Sequence, residues 1–371
     1  MKFSVSSGEL LKVLTKASAV VPSKSTLPIL ENFLFELSKN ELSVTATDLE
    51  ISITATLGVE GKEDGKMVIP AKRIMETVRA LPNVALQLVG DPAAKKLTMA
   101  TDQGEYHLTG EATEDYPTIP HIRGTEELAV ESQTLARMIG KTSFAVSTDE
   151  LRPAMMGVLL QIKKNSLGAV STDGHRLVRM SDKSFASPQI ERDVIVPAKA
   201  LNVVAKSLEG ESNKVSLEAN HIVFCFDSTT VISRLIEEKY PNYDAVIPTD
   251  SNKVLTINRA DLLSAVRRIG LYASSTTHQV RFSLKKESLI VSAEDIDFGS
   301  DATETLPCGY TGEAIELGFN GNYLVDILSH IDADEVKFFL STATRAVIVK
   351  PAEQQKDEDI LMLVMPVRLN A

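Results

Sequence analysis

The segment Thr172-Asp173-Gly174-His175-Arg176-Leu177 is the strongest candidate for acid–base chemistry in the chain. Residues two apart on an extended strand share a face, so Asp173 could orient His175 as the general base of a hydrolase. The same residues also read as a turn. Asp173-Gly174 lies between the apolar runs Leu167-Gly168-Ala169-Val170 and Leu177-Val178, and Asp-Gly between strand-like runs is a strong hairpin signal. Thr47-Asp48-Leu49-Glu50 occupies the same place 125 residues earlier, without a histidine. A turn that recurs in this way is structural rather than catalytic. Cys225 and Cys308 lack partners at metal-ligand or CxxC spacing, which leaves two buried thiols as their reading. The sequence contains no phosphate loop, HExxH, GxSxG, EF-hand loop or GxGxxG following a strand. The chain therefore reads as a non-enzyme with no metal and no cofactor.

The elements that carry this turn are themselves repeated. Val68-Ile69-Pro70-Ala71-Lys72 returns as Ile195-Val196-Pro197-Ala198-Lys199, and Asp115-Tyr116-Pro117 returns as Lys239-Tyr240-Pro241. A fainter third copy places Leu317-Gly318-Phe319-Asn320-Gly321-Asn322-Tyr323 at the same station, with Phe319 opposite Pro197. The first helix of each copy agrees: Leu10-Leu11-Lys12-Val13-Leu14, Leu135-Ala136-Arg137-Met138-Ile139 and Leu262-Leu263-Ser264-Ala265-Val266. A period this long makes whole domains rather than solenoid repeats. Three domains are expected, over 1–123, 124–250 and 251–371. The boundaries fall in the polar segments His121-Ile122-Arg123-Gly124-Thr125 and Thr249-Asp250-Ser251-Asn252-Lys253.

Within the first copy, Ser6-Ser7 and Glu9 precede Leu10, Leu11, Val13, Leu14 and Ala17, the pattern of a capped amphipathic helix. Alternating runs follow at Phe33–Leu37, Leu42–Ala46 and Ile51–Ala55, as expected of half-buried antiparallel strands. A second helix starts at Pro70 and ends at Pro82. The fold class is α+β, with antiparallel sheets and two helices per domain on one side.

The 371 residues carry a net charge of −11, which on its face argues against a nucleic-acid binder. The distribution argues otherwise. Lys12, Lys16, Lys72, Arg73, Arg79, Arg137, Lys141, Lys199, Lys206, Arg259, Arg267 and Arg268 recur on five of the six expected helices. Basic helices in an acidic chain imply a phosphate-facing surface opposite an acidic one. Aromatic residues make up 5% with no tryptophan, which disfavours stacking platforms for single strands. No apolar run approaches the ~18 residues of a membrane span. Met1-Lys2-Phe3-Ser4-Val5 leads straight into strand-like alternation, so a cytoplasmic location is expected. The charge pattern separates a DNA-directed protein from a repeat-built scaffold that binds only proteins, because the scaffold needs no basic residues at equivalent helix positions.

The three-part repeat, Thr26-Leu27-Pro28-Ile29-Leu30, the Thr-Asp turns, Ile195-Val196-Pro197, Gly318-Phe319-Asn320 and the ending Val364-Met365-Pro366-Val367-Arg368-Leu369 closely resemble the beta subunit family of bacterial DNA polymerase III. The likeness covers the whole chain. It implies a sliding clamp, in which two chains join head to tail into a six-domain ring whose helices surround duplex DNA irrespective of sequence. By the same resemblance Lys24, Lys72, Arg73, Arg137, Arg152 and Lys199 face DNA. Pro153-Ala154 follow Arg152 where the family pattern has aromatic residues.

The resemblance also implies a groove that receives short peptides with Gln and Leu anchors. The partners it implies are the polymerase III catalytic subunit, the clamp loader, other polymerases and repair proteins. Thr172, Gly174, His175, Arg176 and Leu177 match one side of that groove, and Pro241 and Val246 another. Asn320, Tyr323, Val364, Met365, Pro366, Val367, Arg368 and Leu369 match the remainder. Ala245 stands where a basic residue is expected, and Asn370-Ala371 extend past the usual end. For the homodimer contact, Tyr106 and Leu108 on an edge strand should meet Leu271 and Tyr272 of the second chain.

Overall fold

The computed structural model describes residues 1–120, 126–186, 190–208, 210 and 212–369. The boundary expected at 121–125 and the terminal Asn370-Ala371 lie outside these residues.

Six helices are present among the described residues: α1 (Ser7–Ala17), α2 (Ala71–Ala80), α3 (Ser132–Thr142), α4 (Ala198–Ser207), α5 (Arg259–Gly270) and α6 (Gly321–Ser329). The Ser6 hydroxyl accepts the Glu9 amide at 3.5 Å, and Asn258 and Asn320 cap α5 and α6 through their side chains. These caps satisfy amides that a helix start leaves without partners. Pro70 differs from the sequence expectation: it ends the strand Gly65–Pro70 and stands just before α2 rather than inside it. A proline lacks the amide that a longer ladder would need. In the third copy the strand ends at Asn320, so Asn320 rather than Phe319 takes the place of Pro70 and Pro197.

The chain forms two compact units, Met1–Ala136 with Lys199–Leu235, and Arg137–Ala198 with Ile236–Ala371. The split runs through the central repeat because its strands complete the sheets of its two neighbours. In the first unit an eight-stranded sheet joins Ile51–Gly58 of the first repeat to Thr229–Arg234 of the second, with Ile53 opposite Val231. In the second unit a nine-stranded sheet joins Arg176–Asp182 of the second repeat to Glu358–Val364 of the third, with Val178 opposite Met362. Each unit holds one further antiparallel sheet. The five-stranded sheet ends at Glu105–Thr109 and the four-stranded sheet ends at Ser300–Pro307, and no described strand pairs with either outer edge.

Helices pack over sheets in both units: α1 lies against α2 and the Ile51–Gly58 strand, and α5 against α6 and Ser300–Pro307. Burial of their apolar stripes is the main stabilising term. Phe282, fully buried, meets Phe319 edge-on with ring centroids 5.2 Å apart.

The two Thr-Asp turns are built alike. Asp48 Oδ1 accepts the amides of Glu50 and Ile51 at 3.1 and 2.7 Å, and Asp173 Oδ1 accepts those of His175 and Arg176 at 2.8 and 2.9 Å. Thr47 and Thr172 donate through Oγ1 to the carbonyls of Ile51 and Arg176 at 3.0 and 2.6 Å. The third position has φ of +79° at Leu49 and +91° at Gly174, a region that suits glycine far better than leucine. Two tyrosines 124 positions apart repeat a second device. The Tyr116 hydroxyl donates to the Thr45 carbonyl at 3.1 Å and that of Tyr240 to the Val170 carbonyl at 3.3 Å. Burial pushes both phenols well above their ordinary range, which keeps them protonated donors.

Candidate functional site

In the second unit a cavity of about 570 Å³ opens beside the Thr172–Arg176 turn. Its floor is apolar: Leu177 and Leu363 reach it from adjacent strands of the nine-stranded sheet, Ala346 from the turn before Val347–Pro351, and all three belong to the buried cluster that includes Ile348 and Leu361. The segment 241–249 forms one wall, positioned by Tyr240 and by Tyr243, whose hydroxyl donates to Gln161 Oε1 at 2.7 Å. Val246 and Met365 present apolar surface to solvent at the rim. An apolar slot with a few polar groups at its edge suits a short extended peptide.

Arg176 supports this site from below. Its guanidinium contacts Asp326, donates to Asp173 Oδ2 at 3.0 Å and to the Phe144 carbonyl at 2.8 Å, and lies 4.7 Å from the centre of the Tyr323 ring. A buried guanidinium is tolerated only with partners of this number. Asp173 is thereby committed to backbone amides and to Arg176, which leaves it no role in orienting the His175 imidazole. His175 instead stacks on Tyr323, with centroids 6.1 Å apart. The acid–base reading of these residues fails on this geometry.

Of the residues matched to the groove by resemblance, Thr172, Gly174, His175, Arg176, Leu177, Pro241, Val246 and Met365 line the cavity. The others stand outside it. Val364 is fully buried and points to the opposite face of its strand from Leu363 and Met365. Asn320 caps α6, and Tyr323 backs the Arg176 guanidinium. The tail turns away: the Val367 amide donates to the Gly318 carbonyl at 2.9 Å, carrying Pro366, Arg368 and Leu369 along the strand Ile315–Asn320.

The basic residues divide into two groups. Lys24, Lys72 and Arg73 are exposed and have no carboxylate partner among the described residues. Arg137 is different: it is mostly buried against Glu358 and bonds to Asp332 at 2.7 Å. Lys141, 7% exposed, bonds to Asp332 at 2.7 Å and to the His330 carbonyl at 2.5 Å. Arg137 is thus a strut within its unit, unlike Lys24, Lys72 and Arg73, which are unpaired among the described residues. Arg152 clips the neighbouring loop, donating to Asp149 at 2.8 Å and to the Asp173 carbonyl at 3.1 Å, and Lys199 pairs with Asp48. Arg259 donates to the carbonyls of Ala333 and Leu328, and Arg268 forks Glu304 at 2.8 and 2.7 Å.

Comparison with known proteins matches three family models in order along the chain. They describe the N-terminal, central and C-terminal domains of the DNA polymerase III beta subunit, over residues 1–120, 129–242 and 244–368. The chain belongs to the DNA polymerase III beta subunit family. The beta sliding clamp of Pseudomonas putida is 31% identical over 372 residues, with both chains fully covered. Among solved structures, the DNA polymerase sliding clamp of Pseudomonas aeruginosa matches with a TM-score of 0.91 at 29% identity, again over both full lengths. The sliding clamp of Bartonella birtlesii bound to griselimycin matches with a TM-score of 0.94 at 26% identity over both full lengths.

Sequence reasoning missed Met155, Asn242, Tyr243, Thr344 and Arg345, which all line the cavity. Strand alternation would have separated Met365 from Val364. Nothing local marks Arg345, which reaches the site through a turn far along the chain.

The Arg137–Lys141 strut yields a pH prediction. Burial works against the Asp332 charge, but hydrogen bonds from Lys141 and Arg137 outweigh it and hold the carboxyl below its usual range. A depressed folded pKa contributes stability above the unfolded value of ~4 and loses it as pH falls through the folded value. Asp332→Asn should therefore lower the melting temperature at neutral pH, and the two melting curves should converge in acid. A gap of constant size across the pH range would contradict this.

Proposed function

We propose that this protein is a DNA sliding clamp: a ring of two copies that encircles duplex DNA, performs no chemistry, and holds polymerases and other replication and repair proteins through the Leu177–Met365 groove. It acts in the cytoplasm, where replication takes place, and its three repeats serve as domains over 1–123, 124–250 and 251–371. One observation carries the ring. Each repeat finishes the sheet of the next at two antiparallel junctions, and the third junction is left open. Ser300–Pro307 corresponds to Ile51–Gly58 and Arg176–Asp182, and Glu105–Thr109 corresponds to Thr229–Arg234 and Glu358–Val364. Among the described residues no strand pairs with the outer edge of either, and a free edge is a template for another chain.

A second copy pairing across these edges uses the same junction a third time. Aligned on the hairpin ends, Tyr106 would face Ala302, His107 would face Asp301 and Leu108 would face Ser300. Leu271 and Tyr272, 83% and 43% exposed, sit at the end of α5 beside this edge, and Ile296 and Phe298 at the neighbouring hairpin tip are also exposed. Such a contact is heterologous, so two copies must close it head to tail. The exposed Lys72 and Arg73 of α2, with Lys24, supply phosphate attraction without reading base edges, so all sequences present similar energy and the ring slides. Lys199 and Arg152 add charge from partly exposed ion pairs.

Two measurements test this reading. Truncating a large apolar interface anchor costs on the order of 1–3 kcal/mol, so Leu271→Ala with Tyr272→Ala should weaken the dimer ~100-fold or more. Sedimentation velocity should then show monomer at concentrations where the unchanged protein is dimeric, and an unaltered dimer would refute the placement. Met365→Ala should weaken binding of a Gln- and Leu-anchored polymerase peptide by roughly tenfold while the dimer persists. Leu369→Ala, which lies outside the cavity, should change that affinity much less, and titration giving equal losses for both would contradict the groove.

A further inference from the structure

The cavity beside the Thr172–Arg176 turn has an unusual charge balance for a chain of net charge −11. The lining residues able to carry positive charge are His175, Arg176 and Arg345, and no carboxylate lines it. Arg176 offers a ligand little, because its side chain is only 10% exposed and Asp173, Asp326 and the Phe144 carbonyl each take one of its donors. The wall 241–249 offers no cation either: it contains no lysine or arginine, and its Asp244 faces Arg179 at 3.7 Å. Positive charge enters the groove instead from the turn between the strands Glu335–Leu340 and Val347–Pro351.

Arg345 is well placed for that role. It sits next to Ala346 on the apolar floor, its side chain is 59% exposed, and its one described ion pair is with Asp250, at 3.1 Å from Nη2. Asp250 is itself more than half exposed, and a pair between two solvated groups contributes little. A guanidinium carries five N–H donors in a planar fork, so most remain available for an incoming carboxylate. A carboxylate brought in on a peptide would meet that fork at the edge of an apolar floor, where displaced water strengthens the pair.

We propose that Arg345 is the specificity-determining cation of the groove and that it selects partner peptides bearing an aspartate or glutamate beside their apolar anchors. This rests on the groove being the peptide site. The occupant is therefore an acidic, apolar-anchored segment of a partner protein.

Titration with synthetic peptides tests the proposal. Each peptide carries Gln and Leu anchors and a single Glu at one non-anchor position, and each is matched by a peptide with Gln at that position. The unchanged protein should prefer the Glu peptide at one position by roughly five- to tenfold, the range expected of a partly desolvated ion pair. Arg345→Gln should erase that preference, so that the variant binds the Glu and Gln peptides equally, and remove the salt dependence of the Glu peptide. Equal affinities for Glu and Gln at every position, or a preference that survives Arg345→Gln, would overturn the assignment. If no peptide binds, or if binding is indifferent to Met365→Ala, the groove reading itself fails and the role of Arg345 falls with it.

Discussion

The architecture depends on unfinished β-ladders. A strand with a free edge leaves a row of amides and carbonyls without partners, and the first two repeats here solve this by borrowing a strand from the repeat that follows. Ile51–Gly58 is completed by Thr229–Arg234, and Arg176–Asp182 by Glu358–Val364. The central repeat is consequently divided between two compact units, with four of its strands in each shared sheet. The same rule leaves one donor edge and one acceptor edge unused in each chain. That remainder, more than any single residue, makes a closed dimer the natural end of the sequence of junctions.

A second dependence runs through the buried Arg176. It fastens the turn at the groove to α6 through Asp326 and Tyr323, and to the residues that follow α3 through the Phe144 carbonyl. His330 extends the set by stacking on Phe144 at 3.9 Å and accepting Lys141 through its carbonyl. Such a network is costly to break, because removing one partner strands a buried charge. It gives the cavity a rigid back, and a preformed slot adds little ordering cost to any ligand that enters it.

Much of this was legible in the sequence because it is local or repeated. The helix cap at Ser6, the Asp173-Gly174 hairpin, and the echo of Tyr116 in Tyr240 all follow from short patterns. The fates of the basic residues were not legible. Arg137 looks like its exposed counterparts, yet it is claimed by Glu358, 221 positions away, and only the fold brings them together. Arg345 escaped for the opposite reason: it lies in a turn without periodicity, and its importance comes from the apolar neighbours that a distant strand supplies. Charge recurrence on helices therefore overstated the number of free cations, although Lys72, Arg73 and Arg79 remain exposed.

A chain of net charge −11 can hold DNA through a modest number of exposed cations if enclosure, not affinity, sets the residence time. Electrostatic contacts alone are shed as salt rises, whereas a closed ring leaves only by opening or by running off an end. The decisive measurement is retention on a nicked circular duplex, loaded with the clamp and then cut once by a restriction enzyme at moderate salt. Enclosure predicts stable retention on the circle and rapid loss after linearisation. Equal retention on both forms would contradict it.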